Sequence, residues 1–152
     1  MATSHSYGAT LKNNKTESEA LLFLLSSDLN FIGLTKETRA HVMELFGLGK
    51  SFSRAFDLVL VKEGSSKNLL ELTADDMTLI ELKTTQKKLP ELPRGFFFGA
   101  TENEFKLARQ LGDKYKFCFI SLHPESPKLE LLTLSELEPL IRTNRTQYQI
   151  NL

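Results

Sequence analysis

The chain has 152 residues, enough for one domain that buries roughly two thirds of the surface of its unfolded form without a metal or disulfide. Its 19 basic and 19 acidic residues give a formal charge of zero, which excludes the strong overall positive field of many nucleic-acid-binding proteins. No stretch approaches the length of a membrane span and no apolar leader precedes the domain, so an intracellular, cytoplasmic protein is expected.

The first third of the chain predicts a tail and two helices. Residues 1–15 are polar and are expected to form a loose, flexible tail before a single domain over residues 16–152. Thr16 and Glu19 have the spacing of a reciprocal N-terminal cap, and EALLFLL then predicts a helix over residues 17–26. TKETRAHVMELF predicts a second helix that ends at Gly47.

Three strands are predicted next. AFDLVLVKE is rich in aliphatic and β-branched residues and predicts a strand over 56–62, LLELT predicts a short second strand, and MTLIELKTT a third over 77–84. In the third strand, a period of two places Met77, Leu79, Glu81 and Lys83 on one face. Both faces of this strand are largely apolar, which predicts a central position with helices on both sides.

The last third of the chain predicts helices and strands in alternation. Thr101 and Glu104 have capping spacing and open the helix ENEFKLARQLGDKY, and KFCFISLH predicts a strand in which Cys118 is a packing residue. LELLTL predicts a further strand, and Ser135 with Glu138 a cap on a short final helix. This order of elements indicates an α/β domain, an α/β/α sandwich around a central mixed sheet.

Acidic and basic residues are unevenly distributed along the chain. Residues 57–81 contain six acids and two lysines, whereas residues 83–116 contain eight basic residues and four acids. Such blocks are usually a solvated surface. They are also what a metal site beside a phosphate-binding face would need.

A carboxylate and an ammonium on one face of a central strand, those of Glu81 and Lys83, indicate a candidate functional site. Glu104 and Lys106 have the same spacing as Glu81 and Lys83, but in a helix, where residues two apart point in different directions. If the strand that Asp57 begins pairs with the third strand, Asp57 and Glu81 converge at one end of the sheet. Two such carboxylates suit Mg²⁺, and Lys83 beside them would orient water or neutralise developing charge. The alternative is a structural ion pair of Glu81 and Lys83, with Asp57 capping a strand end.

These residues resemble the motif of the PD-(D/E)xK nuclease superfamily, which includes restriction endonucleases, junction resolvases and repair nucleases. The matching residues are Asp57 in AFDLVLV and Glu81 and Lys83 in LIELKTT. The order of IELKTT, FFFGATENEF and LGDKYKFCFI is also similar to nuclease-like domains found beside helicases and in modification-dependent restriction proteins. The likeness covers residues 56–122.

The resemblance implies a restriction-endonuclease-like fold and a magnesium-dependent DNA endonuclease, with Mn²⁺ as a substitute metal. Asp57, Glu81 and Lys83 would be catalytic, with Asp57 and Glu81 holding the metal. A restriction-type enzyme acting on double-stranded DNA would be a homodimer, because the chain offers one candidate site and cleavage of two strands needs two. A nuclease fold that binds DNA or protein without cutting, and a structure-specific nuclease such as a junction resolvase, remain the alternatives.

Further residues take roles by the same resemblance. Glu71, ten positions before Glu81, is the rival first acid and metal ligand, because some family members use that spacing. A glutamate from a preceding helix would be Glu19 or Glu44. The residues that follow the motif are expected to contact the DNA backbone, namely Thr84, Gln86, Lys87 and Lys88, with Arg94, Lys106 and Arg109 as an extension of that surface.

Overall fold

A computed structural model describes residues 15–126 and 129–152. The predicted N-terminal tail therefore lies outside the described residues, apart from residue 15, which is helical. The helices are α1 over residues 15–25, α2 (Lys36–Leu45), α3 (Glu102–Leu111) and α4 (Leu134–Leu137). The strands are β1 (Phe31–Gly33), β2 (Leu58–Val61), β3 (Met77–Thr85), β4 (Tyr115–Ser121) and β5 (Leu129–Leu132).

The strands form one five-stranded mixed sheet in the order β1-β2-β3-β4-β5. β1, β2 and β3 pair antiparallel, α3 crosses over to place β4 parallel to β3, and β5 returns antiparallel to β4. The α/β class, the mixed sheet and the central place of β3 are therefore confirmed. The antiparallel pairing of β2 with β3 puts Leu58 opposite Ile80.

Helices cover both faces of the sheet. α1 packs on one face through Ala20 and Leu24, against a core of β2, β3 and β4 residues: Leu58, Ile80, Leu82, Cys118 and Ile120. α2, α3 and α4 pack on the other face, against Val59, Met77, Leu79, Phe117 and Phe119. The alternation of β3 residues between the two cores follows from the period of a strand. None of the helices in the described ranges is long and apolar enough to cross a membrane.

Three local predictions are wrong, and local hydrogen bonds explain two of them. LLELT contains a 3₁₀ turn, Leu69–Glu71, rather than a strand, because the Asn68 side chain accepts a hydrogen bond from the backbone of Leu70 and favours the turn. The cap of α4 is Thr133, which exchanges hydrogen bonds with Glu136, so Ser135 lies inside the helix. Thr16 lies within α1 and does not begin it. The end of α2 is as predicted, since Gly47 takes a φ of 65° there.

Candidate functional site

Glu81 and Lys83 lie on the same buried face of β3, as the strand period predicted. The exposed fraction is 7% for Glu81 and 9% for Lys83. Both continue the row of Met77 and Leu79, which belongs to the core under α2, α3 and α4. A carboxylate and an ammonium therefore occupy positions that the rest of the strand fills with apolar side chains.

Three protein oxygens surround the ammonium of Lys83. Its Nζ lies 3.1 Å from Oε2 of Glu81 and 2.6 Å from Oε1 of Glu104. It also donates to the backbone carbonyl of Gly99 at 2.7 Å, and lies 5.9 Å from the centre of the Phe98 ring. Burial acts to lower the pKa of Lys83, but the charges of Glu81 and Glu104 outweigh it, so the pKa is raised and the lysine is held in its charged form.

Glu104, whose spacing with Lys106 in a helix did not predict a site, is the nearest partner of Lys83. It lies in the first turn of α3, where its other oxygen accepts a hydrogen bond from the hydroxyl of Thr101 at 2.9 Å. The capping positions of α3 were a usable signal. A helix that crosses from β3 to a parallel β4 begins near the end of β3, so its first turn lies close to Lys83.

Asp57 immediately precedes β2 and lies against β3. Its backbone N–H donates to the carbonyl of Ile80 at 2.7 Å, and its Oδ2 accepts from the N–H of Leu82 at 2.7 Å. One further step of the register that pairs Leu58 with Ile80 places Asp57 opposite Glu81. The exposed carboxylate of Asp57 is thereby fixed beside the buried one of Glu81.

The Glu81 carboxyl is in an unfavourable environment for a negative charge. Burial raises its pKa, and the charges of Asp57 and then Glu104 raise it further against the opposing effect of Lys83. Its Oε1 is buried and has no hydrogen-bond partner. Glu81 thus presents an unsatisfied acceptor beside a second carboxylate, a combination that a bound cation would relieve.

Two side chains that the sequence did not indicate, those of Arg39 and Tyr115, hold the segment before Asp57 by donating hydrogen bonds to three of its backbone carbonyls. The guanidinium of Arg39 on α2 donates to the carbonyls of Ser53 at 2.9 Å and Phe56 at 2.6 Å. It also lies 4.8 Å from the centre of the Phe56 ring. The hydroxyl of Tyr115 on β4 donates to the carbonyl between them, that of Ala55. These contacts fix the backbone from which Asp57 projects.

A glutamate of α1 lies within electrostatic range of the site. Partial loss of solvent, then the charge of Asp57, raises the pKa of Glu17, and Lys83 and Glu104 also act on it. The resemblance suggested Glu19 or Glu44 for a helix glutamate. In the structure, Glu17 of α1 is the helix glutamate on which the charges of Asp57, Lys83 and Glu104 act.

Glu71 does not take part in this arrangement. It lies in the 3₁₀ turn after β2, where it is exposed and accepts a hydrogen bond from Ser66 at 2.8 Å. Its charge is not among those that act on Glu81 or Lys83. Of the two acids proposed as the first ligand, the structure brings Asp57 to Glu81 and leaves Glu71 in a separate turn.

The four proposed DNA-contact residues lie at and beyond the end of β3 that carries Lys83. Thr84 is partly buried in the strand. Gln86 donates to Thr16 of α1 at 3.3 Å, Lys87 is exposed, and Lys88 pairs with Glu125 at 3.0 Å. These side chains flank the same end of the sheet as the buried charges.

Asp57 and Glu81 fit the protein's share of a magnesium site. Over residues 15–126 and 129–152, no group of three or more His, Cys, Asp or Glu side chains is placed to hold a metal ion. Mg²⁺ is commonly held by only one or two carboxylates, with water and substrate phosphate completing its shell. The unsatisfied Oε1 of Glu81 and the exposed carboxylate of Asp57 meet that requirement.

Comparison with known proteins identifies no relative. No protein-family model, no curated protein and no solved structure matches the chain.

Proposed function

We propose that the chain is a magnesium-dependent endonuclease that hydrolyses phosphodiester bonds in DNA, on a restriction-endonuclease-like α/β/α sandwich. The observation that carries the proposal is the buried Oε1 of Glu81, which has no hydrogen-bond partner. Glu81 lies opposite Asp57 in the register of β2 and β3. An unsatisfied buried carboxylate oxygen destabilises a fold, and folding alone gives no reason to retain it. A cation shared with Asp57 would supply the missing partner.

Asp57 and Glu81 would hold Mg²⁺, and Mn²⁺ could replace it. When bound, the ion would polarise the phosphodiester and lower the pKa of a coordinated water. The backbone contacts of Asp57 with β3 fix where its carboxylate lies, and burial keeps bulk water away from Glu81. Both features preorganise the oxygens around the reacting phosphate.

Lys83 would neutralise the charge that develops on the phosphate during cleavage. Its Nζ already donates two hydrogen bonds and makes an ion pair with Glu81, so contact with substrate requires one of these contacts to be exchanged. The 3.1 Å contact with Glu81 is the longest of the three, so it is the contact that we expect to be exchanged for substrate. Glu104 and Gly99 would keep the ammonium in place during that exchange.

A second candidate function is a nuclease fold that binds DNA or protein without cutting. The observation that favours it is the set of three protein oxygens around Lys83, which is what a structural ion network would show. Under this alternative Glu81 and Lys83 stabilise the domain and bind no metal. Restriction-type cleavage of double-stranded DNA, by contrast, would need a homodimer that brings two sites together.

Plasmid cleavage tests the proposal directly. Supercoiled DNA incubated with the protein and Mg²⁺ or Mn²⁺ should be nicked or linearised, and Asp57→Asn and Glu81→Gln should each reduce the rate on the order of a hundredfold or more. Glu71→Gln is the matched control and should cleave like the wild type, because Glu71 lies in a separate turn. A wild-type protein that leaves DNA intact with both metals would favour the non-cutting alternative.

A further inference from the structure

An aromatic loop lies over the proposed site. Phe96 and Phe98 are partly buried and pack edge to face on Phe119 of β4, with ring centres 5.1 and 5.2 Å away. Phe97, between them, is 82% exposed. The alternation fixes the loop on both sides of Phe97 and turns its ring toward solvent.

The same loop contacts the catalytic lysine. The carbonyl of Gly99 accepts a hydrogen bond from Lys83, and the Phe98 ring lies beside the same ammonium. Phe97 is two residues from Gly99, so their Cα atoms are separated by at most about 7 Å. A phosphate at Lys83 would therefore have its neighbouring bases within reach of the Phe97 ring.

An exposed apolar side chain alone needs no explanation. Phe97 differs because its backbone is held by two packed neighbours, one of which, Phe98, has its ring beside the buried ammonium of Lys83. Aromatic rings placed in this way beside a phosphate-binding group are stacking platforms for nucleic-acid bases, and stacking tolerates any base sequence. A base in a duplex already has both faces covered by its neighbours, so such a ring needs an unpaired base.

We infer that Phe97 stacks on an unpaired base next to the phosphate bound at Lys83, and that the substrate is single-stranded DNA or the single-stranded part of a branched DNA. The inference rests on the proposed function for the position of that phosphate. It favours the structure-specific type of nuclease over the restriction type.

Binding of labelled oligonucleotides, measured by fluorescence anisotropy at one salt concentration, tests this. Ca²⁺ replaces Mg²⁺ so that the DNA remains intact. Phe97→Ala should weaken binding of a single strand at least about fivefold and change binding of the matched duplex much less. Phe97→Tyr should restore single-strand binding, and Phe97→Leu should not, because leucine keeps the apolar bulk without the aromatic face. Tyr148→Ala is the control, since Tyr148 is a similarly exposed aromatic residue, at 79%, in the C-terminal segment.

The outcomes separate this inference from the proposed function. A wild type that cleaves DNA while Phe97→Ala binds and cleaves single strands normally would overturn the inference and leave the nuclease in place. Binding that depends on Phe97, in a protein that never cleaves DNA, would support the stacking site and contradict the nuclease. Equal losses of affinity for single strand and duplex in Phe97→Ala, or full single-strand affinity in Phe97→Leu, would also overturn the inference.

Discussion

Glu81 and Lys83 on β3 are both buried, whereas Glu104 and Lys106 on α3 have the same spacing and are divided between interior and solvent. A strand places residues two apart on one face, and a helix separates them. Lys83 therefore forms ion pairs with the glutamates of both pairs, Glu81 and Glu104. Lys106 makes only a 3.8 Å surface contact with Glu102. The two glutamate–lysine pairs therefore contribute very differently to stability. Solvent screens the charge of exposed Lys106, whereas burial removes that screening from Lys83.

The buried side of this comparison has more acid than base. The buried carboxylates of Glu81 and Glu104 share one lysine, and the exposed carboxylates of Asp57 and Glu17 act electrostatically on this cluster. A purely structural network would be expected to balance its charges, since each uncompensated buried charge opposes folding. An excess of carboxylate is instead suited to binding a cation.

The largest effect should come from removing the shared ammonium. Lys83→Met leaves Glu81 and Glu104 buried without a counter-charge and should lower the free energy of unfolding by about 3–5 kcal/mol. Lys106→Met, its surface counterpart, should change it by less than about 1 kcal/mol. Urea denaturation of both variants measures the contrast. Similar losses in the two would mean that the Lys83 cluster is no more buried in solution than the surface pair.

A smaller loss is expected for the second carboxylate of that cluster. Glu104→Gln replaces the charged partner at 2.6 Å from Lys83 with a neutral one, which should destabilise the protein by about 1.5–3 kcal/mol. Glu102→Gln, in the same helical turn, is the control and should be nearly neutral. Denaturation of the pair at neutral pH makes the comparison, and a neutral Glu104→Gln would refute its assignment as the principal partner of Lys83.

The smallest effect should have the opposite sign. The pKa of Glu81 is raised in the folded protein, so the folded state binds its proton more tightly than the unfolded state does. Stability from this group is therefore lost as pH rises above the ordinary value of 4.5 toward the folded pKa. Glu81→Gln should remove that loss and stabilise the protein on the order of 1 kcal/mol at neutral pH.

Unfolding curves of wild type and Glu81→Gln across pH 4 to 8 measure the difference, which should grow with pH. A Glu81→Gln protein that is destabilised as much as Glu104→Gln would identify Glu81 as a structural partner of Lys83. The two glutamines are chemically identical changes, so their opposite signs isolate the effect of position.

The sequence predicted the framework of the site better than its contacts. The period of β3 and the composition of β2 were sufficient to place Asp57, Glu81 and Lys83 at one end of paired strands. Gly99 and Arg39 were missed because their contacts depend on how distant segments return to the sheet, which no local pattern encodes. Glu104 was also missed, although the N-terminal cap of α3 and its crossover to β4 were a usable signal. The spacing of Glu71 from Glu81 suggested a metal ligand. The hydrogen bonds of Ser66 and Asn68 instead favour a 3₁₀ turn in its segment rather than a strand.

Magnesium binding to the resting protein tests the central claim most directly. Saturating Mg²⁺ should raise the Tm of the wild type and of Glu71→Gln by roughly 2–4 °C for each kcal/mol that the bound metal adds to the free energy of unfolding, and should leave the Tm of Asp57→Asn and Glu81→Gln unchanged. The acid-to-amide variants are compared with their own metal-free melts, so their intrinsic stabilities do not enter. Magnesium that shifts no variant, or shifts all four equally, would contradict a site formed by Asp57 and Glu81.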